Sequence, residues 1–363
     1  MSVADPAATV GSLGERGLLR HLRGRIPQGP GVLLGIGDDA AAVATSAVTL
    51  VTTDVMVDGV HFRRDWSPAR LVGRKALSVN LSDIAAMGGG GQYATVSLCL
   101  PRDLPLAFVD GFYDGLLERA AEVGVEIVGG NVAASSCLTI DVTLMGSSER
   151  LLRRQGALPG DLVVVTGTLG AAAAGLRFLA RGARIDADQA LIEVGGVSPG
   201  ATDDLRRCLV AHLDPAPPLS LARALGQQDL VHAAMDLSDG LSGDLAWMCE
   251  ESLVSAWIDS SSIPVEPSAA RLEREGGDNG FSLALHGGED YQLLLAVPSS
   301  GWDALREVAA VWDVPVTAVG EFAPGPPGVS VKFGEALRRL RPGAHDHFTT
   351  PAREERRDPL RGS

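Results

Sequence analysis

One break in the chain constrains the fold more than any single motif. Between residues 149 and 160 the alternation of strand-like and helix-like stretches gives way to a basic, turn-rich segment containing Arg150, Arg153, Arg154, Gly156, Pro159 and Gly160. A separate series of alternating strands and helices runs on either side of it. Two such series predict a two-domain α+β protein with α/β-type alternation. The expected limits are 1–148 for an N-terminal domain and 149–348 for a C-terminal one. The polar, charged stretch 349–363 is expected to be a disordered tail. With 363 residues, 45% of them hydrophobic, the chain can bury a core in each half.

In the first series, Ser12-Leu13-Gly14-Glu15 reads as a capping box opening a helix. A strand over 48–54 runs into Asp54. Ser67-Pro68 predicts an N-cap with Pro at the first helical position, and that helix is stopped by glycines 88–91. Within it Asn80 and Asp83 share a face with Ala76 and Met87, so a polar pair sits on a stripe suited to burial and needs partners. There follow a strand over 93–100, a helix over 106–123 and a short strand over 125–128 ending in Gly129-Gly130-Asn131. A strictly alternating strand over 138–145 comes next, in which Asp141 reads as solvated. The second series places strands at 162–166, before Met235, and at 255–258, 291–297, 316–319 and 329–333. Its helices begin at Leu169 and Asp203.

Carboxylates recur where strands end. Gly35-Ile36-Gly37-Asp38-Asp39-Ala40 approaches a dinucleotide fingerprint, but Asp38 and Asp39 would put anions where a pyrophosphate should sit. The pair is either a solvated turn or a site for a hard cation such as Mg²⁺ or Ca²⁺. Similar acids stand at Asp54, Asp83, Asp236, Asp239 and Asp290. Carboxylates brought together raise one another's pKa unless cations intervene. Mg²⁺ sites usually combine one or two carboxylates with substrate phosphates. The chemistry suggested is phosphoryl transfer from a nucleotide, with metals carrying most of the charge stabilisation.

Other chemistries are excluded. Neither lysine of the chain, Lys75 or Lys332, follows a glycine, so there is no P-loop. Gly196-Val197-Ser198-Pro199-Gly200 has the spacing of a nucleophile elbow, but Pro199 lacks the N–H that an oxyanion hole needs, and a loop is expected instead. The seven histidines form no helical pair and the four cysteines stand apart, which argues against zinc. A net charge of −14 argues against nucleic acid as a partner. No leader-like or membrane-spanning segment is seen, and scattered thiols suit a reducing compartment, so a cytoplasmic protein is expected.

Several motifs then occur in order: Gly35-Ile36-Gly37-Asp38-Asp39-Ala40, Thr52-Thr53-Asp54, Gly59-Val60-His61-Phe62, Asn80-Leu81-Ser82-Asp83-Ile84-Ala85-Ala86-Met87-Gly88, Asp236-Leu237-Ser238-Asp239-Gly240-Leu241 and Gly287-Gly288-Glu289-Asp290-Tyr291. From about Gly35 to Phe348 the chain resembles the thiamine-monophosphate kinase family, within the superfamily that includes aminoimidazole ribonucleotide synthetase and selenophosphate synthetase. The resemblance implies a homodimer whose N-terminal domains pair their sheets, with ATP and several Mg²⁺ ions between domains, and thiamine monophosphate as acceptor. It implies metal ligation by Asp38, Asp39, Thr52, Thr53, Asp54, Asp83, Asp236 and Asp239, with Asp83 and Asp239 central to catalysis. Tyr113, Gly130, Arg154 and Ser238 are implied ATP contacts, and His61 and Glu289 acceptor contacts. Two positions depart from the family pattern. Asn131 stands where Gly-Gly-Asp-Thr would supply a carboxylate to nucleotide and metal. His345 stands where an aromatic residue, commonly Trp, would meet the acceptor. Alternatives are a superfamily member with another small acceptor, or a weakly active protein that binds nucleotide or thiamine diphosphate.

Overall fold

The computed structural model describes residues 32–34, 41–44, 48–274 and 280–340. The expected helix after Ser12, the 35–40 loop with Asp38 and Asp39, His345 and the 349–363 tail lie outside them.

The first half is a six-stranded sheet in the order β1-β2-β3-β6-β4-β5, made of β1 (Val32–Leu34), β2 (Ala41–Ala44), β3 (Val48–Val57), β4 (Gly90–Leu100), β5 (Glu126–Ala134) and β6 (Thr139–Ser147). All neighbours are antiparallel except β4 and β5. Helices α1 (Ala69–Ala86) and α2 (Leu106–Val123) lie together on one face, where Leu50, Val96 and Leu144 meet Leu77, Leu81, Ile84 and Leu116. The two helices approach to backbone contact because glycine stands on both sides. A Cβ at Gly73 would lie 1.9 Å from the Phe112 carbonyl oxygen, and one at Gly115 would lie 1.8 Å from that of Arg70.

The second half is a seven-stranded sheet in the order β10-β12-β7-β13-β11-β14-β15. Its strands and flanking elements are β7 (Asp161–Thr166), α3 (Ala171–Ala180), the hairpin β8 (Ala183–Ile185) and β9 (Leu191–Val194), α4 (Thr202–Leu213), α5 (Leu219–Leu225), β10 (Ala233–Leu237), α6 (Leu241–Ser252), β11 (Ser255–Asp259), α7 (Pro267–Glu273), α8 (Phe281–His286), β12 (Gln292–Pro298), α9 (Trp302–Val311), β13 (Val316–Ala323), β14 (Gly328–Phe333) and β15 (Ala336–Arg339). Successive residues serve opposite faces. Val163, Val165, Met235 and Leu294 pack under α6, while Val164, Ala234, Leu293 and Leu295 pack under α5 and α9. A sheet covered on both faces needs near-continuous apolar strands, which is what these segments are.

Helix α1 belongs to both halves. Fourteen of its eighteen residues are buried, so it has almost no solvent face. Leu77, Leu81 and Ile84 sit in the first core, and Ala85 and Ala86 pack against the second sheet beside Leu152.

Four local expectations are corrected. Pro68, not Ser67, is the N-cap of α1, and Ser67 Oγ is buried without a hydrogen-bond partner. Gly90 and Gly91 do not merely stop α1 but begin β4. Gly129, Gly130 and Asn131 lie inside β5 rather than in a loop after it, since β4 supplies ladder partners as far as Ala134. Asp141 is not simply solvated: Thr53 Oγ1 donates to its Oδ1 at 2.7 Å. The Gly196–Gly200 segment is a turn leading into a short 3-10 helix, Pro199–Ala201, as expected of a loop.

Candidate active site

The carboxylates of the two halves meet along the last turns of α1. On β3 the period of two sends Leu50, Thr52, Asp54 and Met56 toward the helices. Thr52 Oγ1 donates to Asp83 Oδ2 at 2.5 Å, joining sheet to helix. The residue before Asp83 makes the connection to the other half: Ser82 Oγ donates to Asp236 Oδ2 at 2.7 Å, and both residues are buried. Asp236 belongs to β10, and the loop after that strand carries Ser238 and Asp239. The polar pair predicted on α1 thus divides. Asp83 faces β3, whereas Asn80 turns inward and donates to the Ala76 carbonyl at 3.0 Å.

The charges of these acids also reach buried neighbours. Burial raises the Tyr291 hydroxyl well above its ordinary value, and the charges of Glu289, Asp54, Asp236 and Asp83 raise it further. Asp244, at the start of α6, accepts the Asp239 N–H at 3.1 Å. Its carboxyl is pushed far up by burial and by the charges of Asp239 and Asp236, against a smaller pull from Arg154. Arg154 is buried and lays its guanidinium 4.0 Å from the Trp247 ring centroid. Among the described residues no group of three or more His, Cys, Asp or Glu side chains is arranged to hold a metal ion on its own.

The segment before β12 is fastened to this loop: the Glu289 and Tyr291 N–H groups donate to the Ser238 and Leu237 carbonyls at 2.8 and 2.9 Å. The three side chains then diverge. Tyr291 turns into the acid cluster. Asp290 accepts the Gly170 and Ala172 N–H groups at 2.7 and 3.3 Å, capping α3, and burial pushes its carboxyl up to about 7. Glu289 Oε1 lies 2.9 Å from Lys75 Nζ, and Oε2 lies 2.8 Å from His212 Nδ1. Burial opposes ionisation of Glu289, but Lys75 and His212 outweigh it and hold the carboxyl well below the usual carboxylate range.

Other predicted residues lie apart. Thr53 points to the opposite face of the sheet from Thr52 and Asp54, where it bonds Asp141; its side chain is not in the carboxylate set, because a strand alternates sides. Asn131 pairs with Ser97, Ser97 with Asp141, and Asp141 with Val55. That row puts Asn131 three strands from β3, about 14 Å at the usual strand spacing, so the side chain does not join the Asp54 and Asp83 group within one chain. Gly130 needs to be glycine, since a Cβ would stand 1.9 Å from the Val96 carbonyl oxygen. Tyr113 packs edge-on against Phe112 on α2. His61 uses Nδ1 to accept the Val57 N–H at 3.1 Å.

Comparison with known proteins decides the family. Residues 37–148 match the family described as AIR synthase related protein, N-terminal domain, and 159–332 its C-terminal counterpart. The thiamine-monophosphate kinase of Aquifex aeolicus is 37% identical over 277 residues, covering 76% of this chain and 85% of the relative. That of Escherichia coli K12 is 35% identical, covering 88% and 93%. The chain belongs to the thiamine-monophosphate kinase family. The solved structure of AaThiL complexed with AMPPCP and TMP superposes on it with a TM-score of 0.78 at 33% identity, covering 92% of this chain and 99% of that one. The thiamine-monophosphate kinase of Stenotrophomonas maltophilia gives 0.70 at 34% identity, covering 88% and 96%. The hydrogenase maturation protein HypE of E. coli shares the fold, at 0.64 and 18% identity, over 90% of this chain and 97% of its own.

Proposed function

We infer that this chain transfers the γ-phosphoryl group of ATP to thiamine monophosphate, giving ADP and thiamine diphosphate. The observation that carries the reading is the pair of side-chain bonds, Thr52 to Asp83 and Ser82 to Asp236, that gathers acids from both halves around the last turns of α1. The acceptor attacks through a phosphate oxygen that is already anionic at neutral pH, and the β–γ bridging oxygen leaves with ADP. No general base is required, and positioning and charge neutralisation suffice.

Mg²⁺ fits this donor set. The acids offer hard oxygen ligands, and the charges of Asp239 and Asp236 add to burial in raising the Asp244 carboxyl. Asp54, Asp83, Asp236 and Asp239 would hold the ions, with Thr52 supporting Asp83; Asp38 and Asp39 join them by family resemblance alone. When bound, Mg²⁺ neutralises charge on the transferring phosphoryl group. Arg154 and Ser238 flank the nucleotide, and His61 and Glu289 meet the acceptor, joined by His345.

The outer face of the six-stranded sheet exposes Val55, Tyr93 and Met145. An apolar face of this kind suits a second copy of the chain, sheet against sheet. Gly130 and Asn131 lie on the edge strand of that sheet, so a role for them beside the carboxylates, with Tyr113, is played across such a dimer. Among the described residues no helix is long and apolar enough to cross a membrane.

The test is incubation with ATP, Mg²⁺ and thiamine monophosphate, followed by chromatography. Equimolar ADP and thiamine diphosphate are expected, and ADP without thiamine diphosphate refutes the choice of acceptor.

A further inference from the structure

The chain has two lysines, and one of them is buried where the halves meet. Lys75 lies on α1 among apolar neighbours, is 3% exposed and has its ammonium 2.9 Å from Glu289. His212, from α4 and equally buried, takes the other oxygen of the same carboxylate at 2.8 Å. Three elements distant in sequence therefore converge on one side chain. A buried ammonium is expensive to keep, and a hydrophobic residue of similar size would fill the same space at lower cost. Its presence asks for a reason beyond packing.

The surroundings supply one. Lys75 and His212 both line a crevice too narrow to admit a water, whose other polar members are His61 and Ser67, with Met56 and Leu213 among its apolar walls. Ser67 Oγ has no hydrogen-bond partner there. The gap thus connects His61 with the two groups that grip Glu289, although Glu289 lies more than two hundred residues further along the chain. A carboxylate has about four lone-pair directions. Held between Lys75 at 2.9 Å and His212 at 2.8 Å, Glu289 keeps acceptor capacity but not freedom to swing. Burial and the Lys75 charge lower the His212 pKa against the opposing pull of Glu289.

We propose that Lys75 and His212 are positioning residues for the acceptor: each fixes one oxygen of Glu289 and so holds that carboxylate beside the gap lined by His61. This rests on Glu289 being an acceptor contact. A carboxylate left mobile would bind the acceptor in many poses, and misplacement of about 1 Å can cost two orders of magnitude in productive orientation. Nucleotide binding, which depends on the other loops, is left alone.

Steady-state kinetics on the full chain, varying each substrate in turn, tests this. Lys75→Met should raise KM for thiamine monophosphate about ten-fold or more, with KM for ATP within about two-fold. His212→Leu should shift the same constant in the same direction, whereas His212→Asn, which retains an N–H donor, should restore it. Lys75→Met/Glu289→Gln removes both buried charges. It should recover thermal stability lost by either single variant while its KM stays within about two-fold of that of Glu289→Gln alone, because Lys75 acts only through Glu289; a KM raised further would show that Lys75 acts by another route. Loss of stability in Lys75→Met with an unchanged acceptor KM would make the triad a structural clasp and overturn the proposal. So would His212→Leu with unchanged KM. Should Glu289→Gln itself leave the acceptor KM unchanged, the underlying reading of Glu289 fails; should Glu289→Gln raise it while Lys75→Met does not, only the positioning role fails.

Discussion

The two sheets are built from similar numbers of strands but are finished differently. The seven-stranded sheet has helices on both faces, and its strands β7, β10 and β12 are apolar at nearly every position. Among the described residues the six-stranded sheet has helices on one face only, and β3, β4 and β6 alternate: buried Leu50, Val96 and Leu144 against exposed Val55, Tyr93 and Met145. What those outward positions carry is the lesson. A sheet face meant for water would be polar throughout, yet this one mixes Thr53, Asp141, Thr143 and Asn131 with large apolar side chains. The second sheet spends both faces on its own core, while the first turns Thr52 and Asp54 toward its helices and leaves apolar side chains exposed on its other face.

The largest effect should come from the covered face of the first sheet. Asp83→Asn keeps the shape and removes the charge, and turnover should fall at least ~100-fold with the fold intact by circular dichroism. Near-normal turnover at limiting Mg²⁺ would remove the carboxylates from the mechanism. Second in size is a cavity in the doubly covered sheet. Leu294→Ala should cost about 2–5 kcal/mol in denaturant unfolding, whereas Tyr93→Thr on the bare face should change monomer stability by no more than about 0.5 kcal/mol. Tyr93→Thr should instead shift light scattering toward the 37.7 kDa monomer mass. Equal costs at the two sites would erase the distinction between the faces.

A third prediction uses the strap that joins the sheets' active loops. Folded Asp290 titrates near 7 rather than at its ordinary 3.8, so the native state holds a proton that the unfolded chain has released. Its contribution to stability is therefore complete below the ordinary value and is lost as pH rises through about 7. Asp290→Asn retains an acceptor for the Gly170 N–H and has no proton to lose. Relative to the parent it should gain stability between those pH values, read as a difference in Tm; parallel pH profiles would show that Asp290 does not titrate there. The smallest effect belongs to the sheet edge. Asn131→Asp should lower the Mg²⁺ concentration for half-maximal rate, with less change at saturation. Superimposed titrations would leave Asn131 outside the metal shell.

Much of this was open to reading from the residues. Helix α2 falls at 106–123 as its periodicity demands, and the central strands lie where apolar runs predicted them. The split between Thr52 and Thr53 was also there to be read, since adjacent residues of a strand cannot face the same side. The motif, taken whole, hid it. Asn131 was misplaced because glycines suggested a strand's end, whereas β4 extends the ladder past them. Lys75, His212 and Asp244 carry no motif signal. Their roles come from contacts between segments more than a hundred residues apart or from burial, which spacing does not encode. Lys75 alone left a trace, as a lysine in a chain whose other basic residues are nearly all arginine, set in a helix with no polar face.

That helix has a consequence for how the protein could have changed over time. Because α1 completes two cores at once, a tolerated substitution at Ala85 or Ala86 must suit the second sheet while leaving Ser82 and Asp83, one turn back, in register with Asp236 and Thr52. Neither half can be exchanged for a counterpart from a distant relative without carrying the matching side of this rod along. Drift in the two halves is therefore yoked, and grafted chimeras should fail at α1 before they fail at the loops that do the chemistry.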